Sequence, residues 1–177
     1  MLLFGHYPAH QNIGNTMKQN EKIGVIFICM GNICRSPTAE AVFRKMAEEA
    51  GLIERVFIDS AGTHDYHVGS PPDERSMRAA KGRGYDMSGL RARQVEANDF
   101  LHFDYILAMD RNNLAILKRI AAPGLQGKAR LFMEFSGDFA DLEVPDPYYG
   151  GAQGFETVLD RVESASRGLL AEIAAAR

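Results

Sequence analysis

Short β-rich runs recur along this chain with helical patterns between them, and that alternation limits the fold more than any other feature. The runs are KIGVIFIC at 22–29, RVFIDSAG at 55–62, DYILAMD at 104–110 and ARLFM at 129–133. Strands that alternate with helices predict a parallel sheet covered on both faces. The first helix is expected over Ser36–Ala50, with Ser36 as N-cap, Pro37 in the first helical position and Gly51 ending it. Its apolar side is Ala39, Val42, Phe43 and Met46. A second helix is expected over Pro72–Lys81, stopped by GRG, and a third over Arg111–Ile120 behind a capping Asp110. The last, Phe155–Ala175, repeats apolar residues at 155, 158, 159, 162, 165, 169 and 173, one core-facing stripe. Residues 141–154, DLEVPDPYYGGAQG, read as a surface loop ahead of it. A length of 177 residues suits one domain with one good-sized core.

Charge narrows the class of partner. With 20 basic against 23 acidic residues and a net charge of -3, no global field attracts nucleic acid or an anionic membrane, so a small ligand is the default expectation. The longest apolar run, near 23–30, is less than half the roughly 18 residues a spanning helix requires. The N-terminus lacks a basic n-region, and Gly5, His6 and Pro8 break its apolar start, so it does not resemble a secretion signal. Residues 1–20 are expected to form a flexible extension to a domain at 21–177, and Met17 offers an alternative start. Only two cysteines occur, Cys29 and Cys34, which fits a reducing cytoplasm.

Both cysteines fall in CMGNICRSPTAE at 29–40, between the first strand and the first helix. A strand that enters a tight turn and then a helix aims backbone N–H groups and the positive helix end at one point, which makes an anion site. Gly31 removes a side chain where backbone must approach a ligand, and Asn32 tolerates a left-handed conformation. Arg35 adds a planar fork for two phosphate oxygens. Nucleotide-binding loops with a similar cradle end in Gly-Lys-Ser/Thr, whereas this one lacks the lysine and begins with a thiol. N–H groups, a helix end and a guanidinium all favour thiolate, the nucleophilic form. Cys29 is thus the candidate nucleophile, forming a phosphocysteine in line with the leaving group. The Ser36 hydroxyl is placed to donate to it. A lone cysteine at a strand end reads as core, but the Cys-x5-Arg-Ser-Pro spacing reverses that reading. Cys34 has two open readings, packing or a resolving thiol that captures oxidised Cys29.

Expulsion of an alcohol or phenol calls for a proton donor, worth on the order of a hundred- to ten-thousand-fold in rate. Asp146 in VPDPYYGG, held between two prolines and followed by Tyr148 and Tyr149, is the leading candidate once the cradle is present. Alone, Asp-Pro is an ordinary turn signal. The paired tyrosines are suited to wall a pocket for a flat ring.

The chain resembles the low-molecular-weight protein tyrosine phosphatase family. CMGNICRSPTAE, DSAGT at 59–63, RARQV at 91–95, YILAMD at 105–110 and PDPYYGG at 145–151 carry the resemblance, in the family's order and over about 22–175. The resemblance implies an α/β domain with a four-stranded parallel sheet and a phosphate-binding loop between first strand and first helix. It implies cofactor-free, two-step hydrolysis of phosphotyrosine in a protein or peptide, inorganic phosphate as product, and a cytoplasmic monomer or weak dimer. By position, Cys29 is the nucleophile, Arg35 the phosphate binder and Asp146 the general acid and base. Met30, Gly31, Asn32, Ile33, Cys34 and Ser36 form the phosphate loop. Asn32, Ser36 and Ser60 hold that loop, and Tyr66, Tyr148 and Tyr149 line the pocket. Tyr66 stands where the family often has tryptophan, which this chain lacks entirely.

Three other readings use the same residues. Thioredoxin-coupled arsenate reductases share the fold and a Cys-x4-Cys-Arg cradle, but need a further cysteine downstream, and none follows Cys34. A phosphotyrosine-binding module would be expected to lack the nucleophile or the acid. A metal-dependent phosphatase fails on ligand supply, since His6, His10, His64, His67 and His102 include no His-x3-His pair. His64 and His67 read as solvated or packed on Tyr66. Arg91 and Arg93 read as solvated or salt-bridged surface, with attraction of acidic peptides as their alternative.

Overall fold

In the computed structural model, which describes residues 22–176, the sheet is built from β1 (Ile23–Cys29), β2 (Val56–Gly62), β3 (Tyr105–Ala108) and β4 (Ala129–Leu131). All pairings are parallel, in the order β2-β1-β3-β4. The fold is a single α/β domain, as the alternation of segments requires. Among the described residues, five α-helices accompany the sheet: α1 (Arg35–Glu49), α2 (Glu74–Gly82), the short α3 (Asp99–His102), α4 (Arg111–Ile120) and α5 (Ala152–Ala175).

The central strand β1 shows why both faces are covered. Val25, Phe27 and Cys29 point into a core shared with Val42 and Phe43 of α1 and Leu159 and Val162 of α5. Ile26 and Ile28 point the other way, toward Phe100 of α3 and Leu117 of α4. Period-two alternation thus sends a continuous apolar run into two cores at once. Phe27 meets the rings of Phe43 and Phe132 edge-on, at centroid distances of 5.6 and 4.9 Å. Contacts of this kind contribute about 0.5–1.5 kcal/mol beyond area burial.

Elements depart from the sequence reading in several places, DYILAMD among them, which is strand only over Tyr105–Ala108. Helix α1 begins at Arg35 rather than Pro37, with no side-chain cap, because Ser36 turns its hydroxyl inward. Helix α2 starts at Glu74 behind a capping Asp73, whose side chain accepts from the Arg75 N–H. The run ARLFM is strand only to Leu131; Phe132–Phe135 form a 3-10 turn. Helix α5 starts at Ala152, ahead of Phe155, and α3 was not expected at all. The anticipated extension at 1–20 lies outside the described residues. Among the described residues, no helix is long and apolar enough to cross a membrane.

In this strand order the chain moves outward in opposite directions from β1 and from β3, and the crevice beyond their carboxyl ends is where open α/β sheets place ligands. Cys29 closes β1. Asp110 follows β3 by two residues and caps α4 through its bond from the Asn113 N–H, 2.8 Å.

Candidate active site

The loop between β1 and α1 wraps around the Cys29 sulfur. Asn32 N–H donates to Cys29 Sγ at 3.3 Å, and Ser36 Oγ lies 3.0 Å from the same sulfur. Asn32 adopts a left-handed φ of 55° and is buried. Its side chain explains why that backbone conformation is held. The amide Nδ2 donates to Ser36 Oγ (2.9 Å) and to Ser60 Oγ (3.0 Å), while Oδ1 accepts from the Arg93 N–H (3.0 Å). Ser60 passes its own proton on to Glu40 Oε2 at 2.7 Å. Since Asn32 already donates to it, Ser36 has its single proton free for the sulfur or for the more distant Ala61 carbonyl at 3.4 Å. Glu40 is buried on α1; burial raises its pKa, opposed by the bonds from Ser60 and Arg44.

Arg35 is the buried cation of the cleft. Its Nη1 donates to Asp110 Oδ2 at 2.6 Å and to the Val144 carbonyl at 3.1 Å. These bonds fix the guanidinium plane from behind. Nη2 stands 3.6 Å from Asp146 Oδ2, too far for a hydrogen bond and free to exchange for another oxygen. Asp146 sits at the rim, its side chain 46% exposed, with Oδ1 accepting from the Tyr148 N–H at 3.0 Å.

Cys29, Met30, Gly31, Ile33, Cys34, Arg35, Tyr66, His67, Asp146, Tyr148 and Tyr149 line one cleft. The fold therefore brings the sequence-selected residues together, with Asn32, Ser36 and Ser60 lying behind the wall. His67 was not anticipated as a lining residue. A Cβ at Gly31 would meet its ring at 2.9 Å, so glycine here makes room for the histidine. Gly62 also permits a close approach, since a Cβ there would stand 2.7 Å from the Met30 carbonyl. The expected packing on Tyr66 is made by His64, with ring centroids 5.1 Å apart.

Cys34 is buried beside the cleft, and its thiol is pushed up to about 12, mainly by burial, with the bond to Ser76 opposing. The thiol is thus neutral at ordinary pH. Arg93 takes the salt-bridged form of its two readings: its guanidinium bonds Asp59 (2.7 and 2.9 Å) and Asp99 (3.0 Å, twice). Arg91 turns back to the Ser88 and Leu90 carbonyls.

A thiol under an N–H-lined loop, a pinned guanidinium and a carboxyl at the rim define a class: α/β proteins with a cysteine-based phosphate cradle at the end of the first strand. The comparisons narrow it. Residues 24–177 match the family described as low molecular weight phosphotyrosine protein phosphatase. A protein of that name from Schizosaccharomyces pombe is 44% identical, covering 87% of this chain and 99% of the relative. The human protein of the same name is 41% identical over 87% of this chain and 98% of its own. A crystal structure of a protein tyrosine phosphatase from Entamoeba histolytica superimposes with a TM-score of 0.84 at 40% identity, covering 86% of this chain and 97% of that one. The chain belongs to the low molecular weight phosphotyrosine protein phosphatase family.

Proposed function

We propose that this protein hydrolyses phosphotyrosine in proteins or peptides through a phosphocysteine intermediate. One observation carries the reading: the Cys29 sulfur, 3.0 Å from Ser36 Oγ, shares a cleft with the Arg35 guanidinium and the Asp146 carboxyl. In the first step Cys29 Sγ attacks phosphorus, the bond to the tyrosyl oxygen breaks, and Asp146 gives its proton to that oxygen. Arg35 and the loop N–H groups bind the three remaining phosphate oxygens, where charge is carried through the transfer. In the second step Asp146 takes a proton from water as the water oxygen attacks phosphorus. The sulfur–phosphorus bond then breaks, releasing inorganic phosphate and restoring the thiolate, which Ser36 stabilises by donation.

Tyr66, Tyr148, Tyr149 and Met30 around the opening supply apolar surface for a phenyl ring. A phenol also leaves more readily than an aliphatic alcohol. Both cysteines are free thiols, which fits work in a reducing cytoplasm. No step calls for a metal, since cation and proton donor are both side chains.

Phosphate release from matched phosphotyrosine and phosphoserine peptides, with a chelator present, tests the reading when wild type and Cys29→Ser are compared. Release from phosphotyrosine alone, abolished in the variant while phosphate still binds, is expected. Residual turnover within about tenfold of wild type would sink covalent catalysis, which depends on the nucleophile for several orders of magnitude.

A further inference from the structure

Asp146 needs to be held over the cleft, yet its loop has few anchors. Val144 is tied at both ends of its peptide, donating to Met109 O at 2.8 Å and accepting from Arg35. Beyond it, residues 145–151 form no regular element, and the bonds from Tyr148 N–H to Asp146 and from Gly150 N–H to Pro147 O are internal. Among the described residues, the only hydrogen bond that reaches residues 145–150 from elsewhere is Arg75 Nη1 to the Tyr148 carbonyl, 3.0 Å; Gly151 already belongs to the start of α5, where its carbonyl accepts from the Gly154 N–H.

Arg75 is built to make that bond. Its Nε and Nη2 donate to the two oxygens of Asp73 at 3.0 and 2.9 Å, which fixes the plane of the fork and leaves Nη1 pointing across the cleft. The guanidinium also lies over the Tyr148 ring, 5.3 Å from its centroid, and over Phe155 at 4.9 Å. Asp73 in turn donates its backbone N–H to the Ile33 carbonyl at 2.8 Å. A continuous chain therefore links the phosphate loop at Ile33 to Asp73, Arg75, Tyr148 and Asp146. A helix-capping pair two residues apart would ordinarily spend its donors locally; here one donor joins the two walls of the cleft.

We propose that Arg75 is a positioning residue for the proton-transfer step, setting the distance of the Asp146 carboxyl from a phosphate held in the cradle. This rests on the acid role proposed above for Asp146. Misplacing a catalytic group by a fraction of its reach costs rate even where binding is intact.

The test compares two substrates and two backgrounds. Arg75→Ala should lower kcat/KM about tenfold for a phosphotyrosine peptide, a part of what a general acid supplies. For an aryl phosphate whose acidic, fluorinated phenol needs no proton, the loss should stay within about twofold, and competitive inhibition by inorganic phosphate should be unchanged. In an Asp146→Ala background, Arg75→Ala should add nothing, because both act at one step. Arg75→Gln, which keeps the stem against Phe155 while removing the fork, gives the same readout should the alanine variant fold poorly. Equal losses on both substrates, or full additivity with Asp146→Ala, would overturn the proposal while leaving the acid itself in place. Should Asp146→Ala itself fail to distinguish the substrates, the acid assignment falls and the positioning role falls with it.

Discussion

The two walls of the cleft are built differently. In the cradle, Asn32, Arg35, Ser36 and Ser60 are each no more than 4% exposed, and each is fixed by at least one side-chain hydrogen bond. Across the cleft, Asp146 lies on a stretch without helix or strand, and Tyr149 beside it is 95% exposed. The difference matches the two tasks proposed for these walls. Binding a phosphate in a fixed orientation rewards groups whose reorganisation has been completed during folding. Donating a proton, then accepting one from water, suits a carboxyl that reaches solvent. Burial and hydrogen bonding are dense on the wall proposed to stabilise charge, and sparse on the wall proposed to exchange protons with substrate and water.

The contrast can be broken at either wall, and the largest effect is expected in the cradle. Arg35→Ala should abolish both turnover and phosphate binding, unlike Cys29→Ser. It should also destabilise the fold by about 3 kcal/mol, since it strands the Asp110 carboxylate and the Val144 carbonyl; phosphate titration and chemical denaturation would show both. If phosphate binding survived, the guanidinium would not be the binding cation.

On the exposed wall, Asp146→Ala should leave phosphate binding intact and slow cleavage of a phosphotyrosine peptide about a hundredfold. An ester of a strongly acidic phenol should lose far less in the cleavage step. Equal losses would contradict the proton-donor assignment.

The smallest effect is expected at Cys34, which tests whether the cradle's rigidity extends to redox protection. Its thiol pKa is raised to about 12, mainly by burial, so the reactive thiolate is scarce at neutral pH and, below that value, its fraction grows about tenfold for each unit by which the pH rises. Capture of peroxide-oxidised Cys29 as a disulfide should therefore be slow near neutrality and accelerate as pH rises. Mass spectrometry of the oxidised protein, followed by thiol reduction, measures this. If Cys34→Ala recovers activity as well as wild type, Cys34 serves packing alone.

Much of the cradle was legible in sequence because it is contiguous. Cys29, Gly31, Asn32, Arg35 and Ser36 lie within eight residues, and local chemistry alone selects them. The alternating segments likewise gave the parallel sheet, since period-two and helical spacing are local properties. What escaped is carried by distant partners. Asp110 reads as a helix cap, and it is one, but its other oxygen takes Arg35 from 75 positions away. Arg93 reads as surface, yet its backbone N–H orients the Asn32 amide across 61 positions. Ser36 looked like an N-cap; its hydroxyl instead faces the sulfur, and α1 begins two residues earlier than expected, at Arg35, without a side-chain cap. No periodicity announces such contacts, because they exist only once the β1 and β3 ends are side by side.

The central claim is a covalent bond between phosphorus and the Cys29 sulfur. Acid quenching of the enzyme during steady turnover of a phosphotyrosine peptide, followed by digestion and mass spectrometry, tests it most directly. The account predicts phosphate on the peptide containing Cys29, absent from Cys29→Ser and enriched in Asp146→Ala when the leaving group needs no proton. Turnover with no phosphate on Cys29 in any of these samples, or phosphate on another residue, would contradict it.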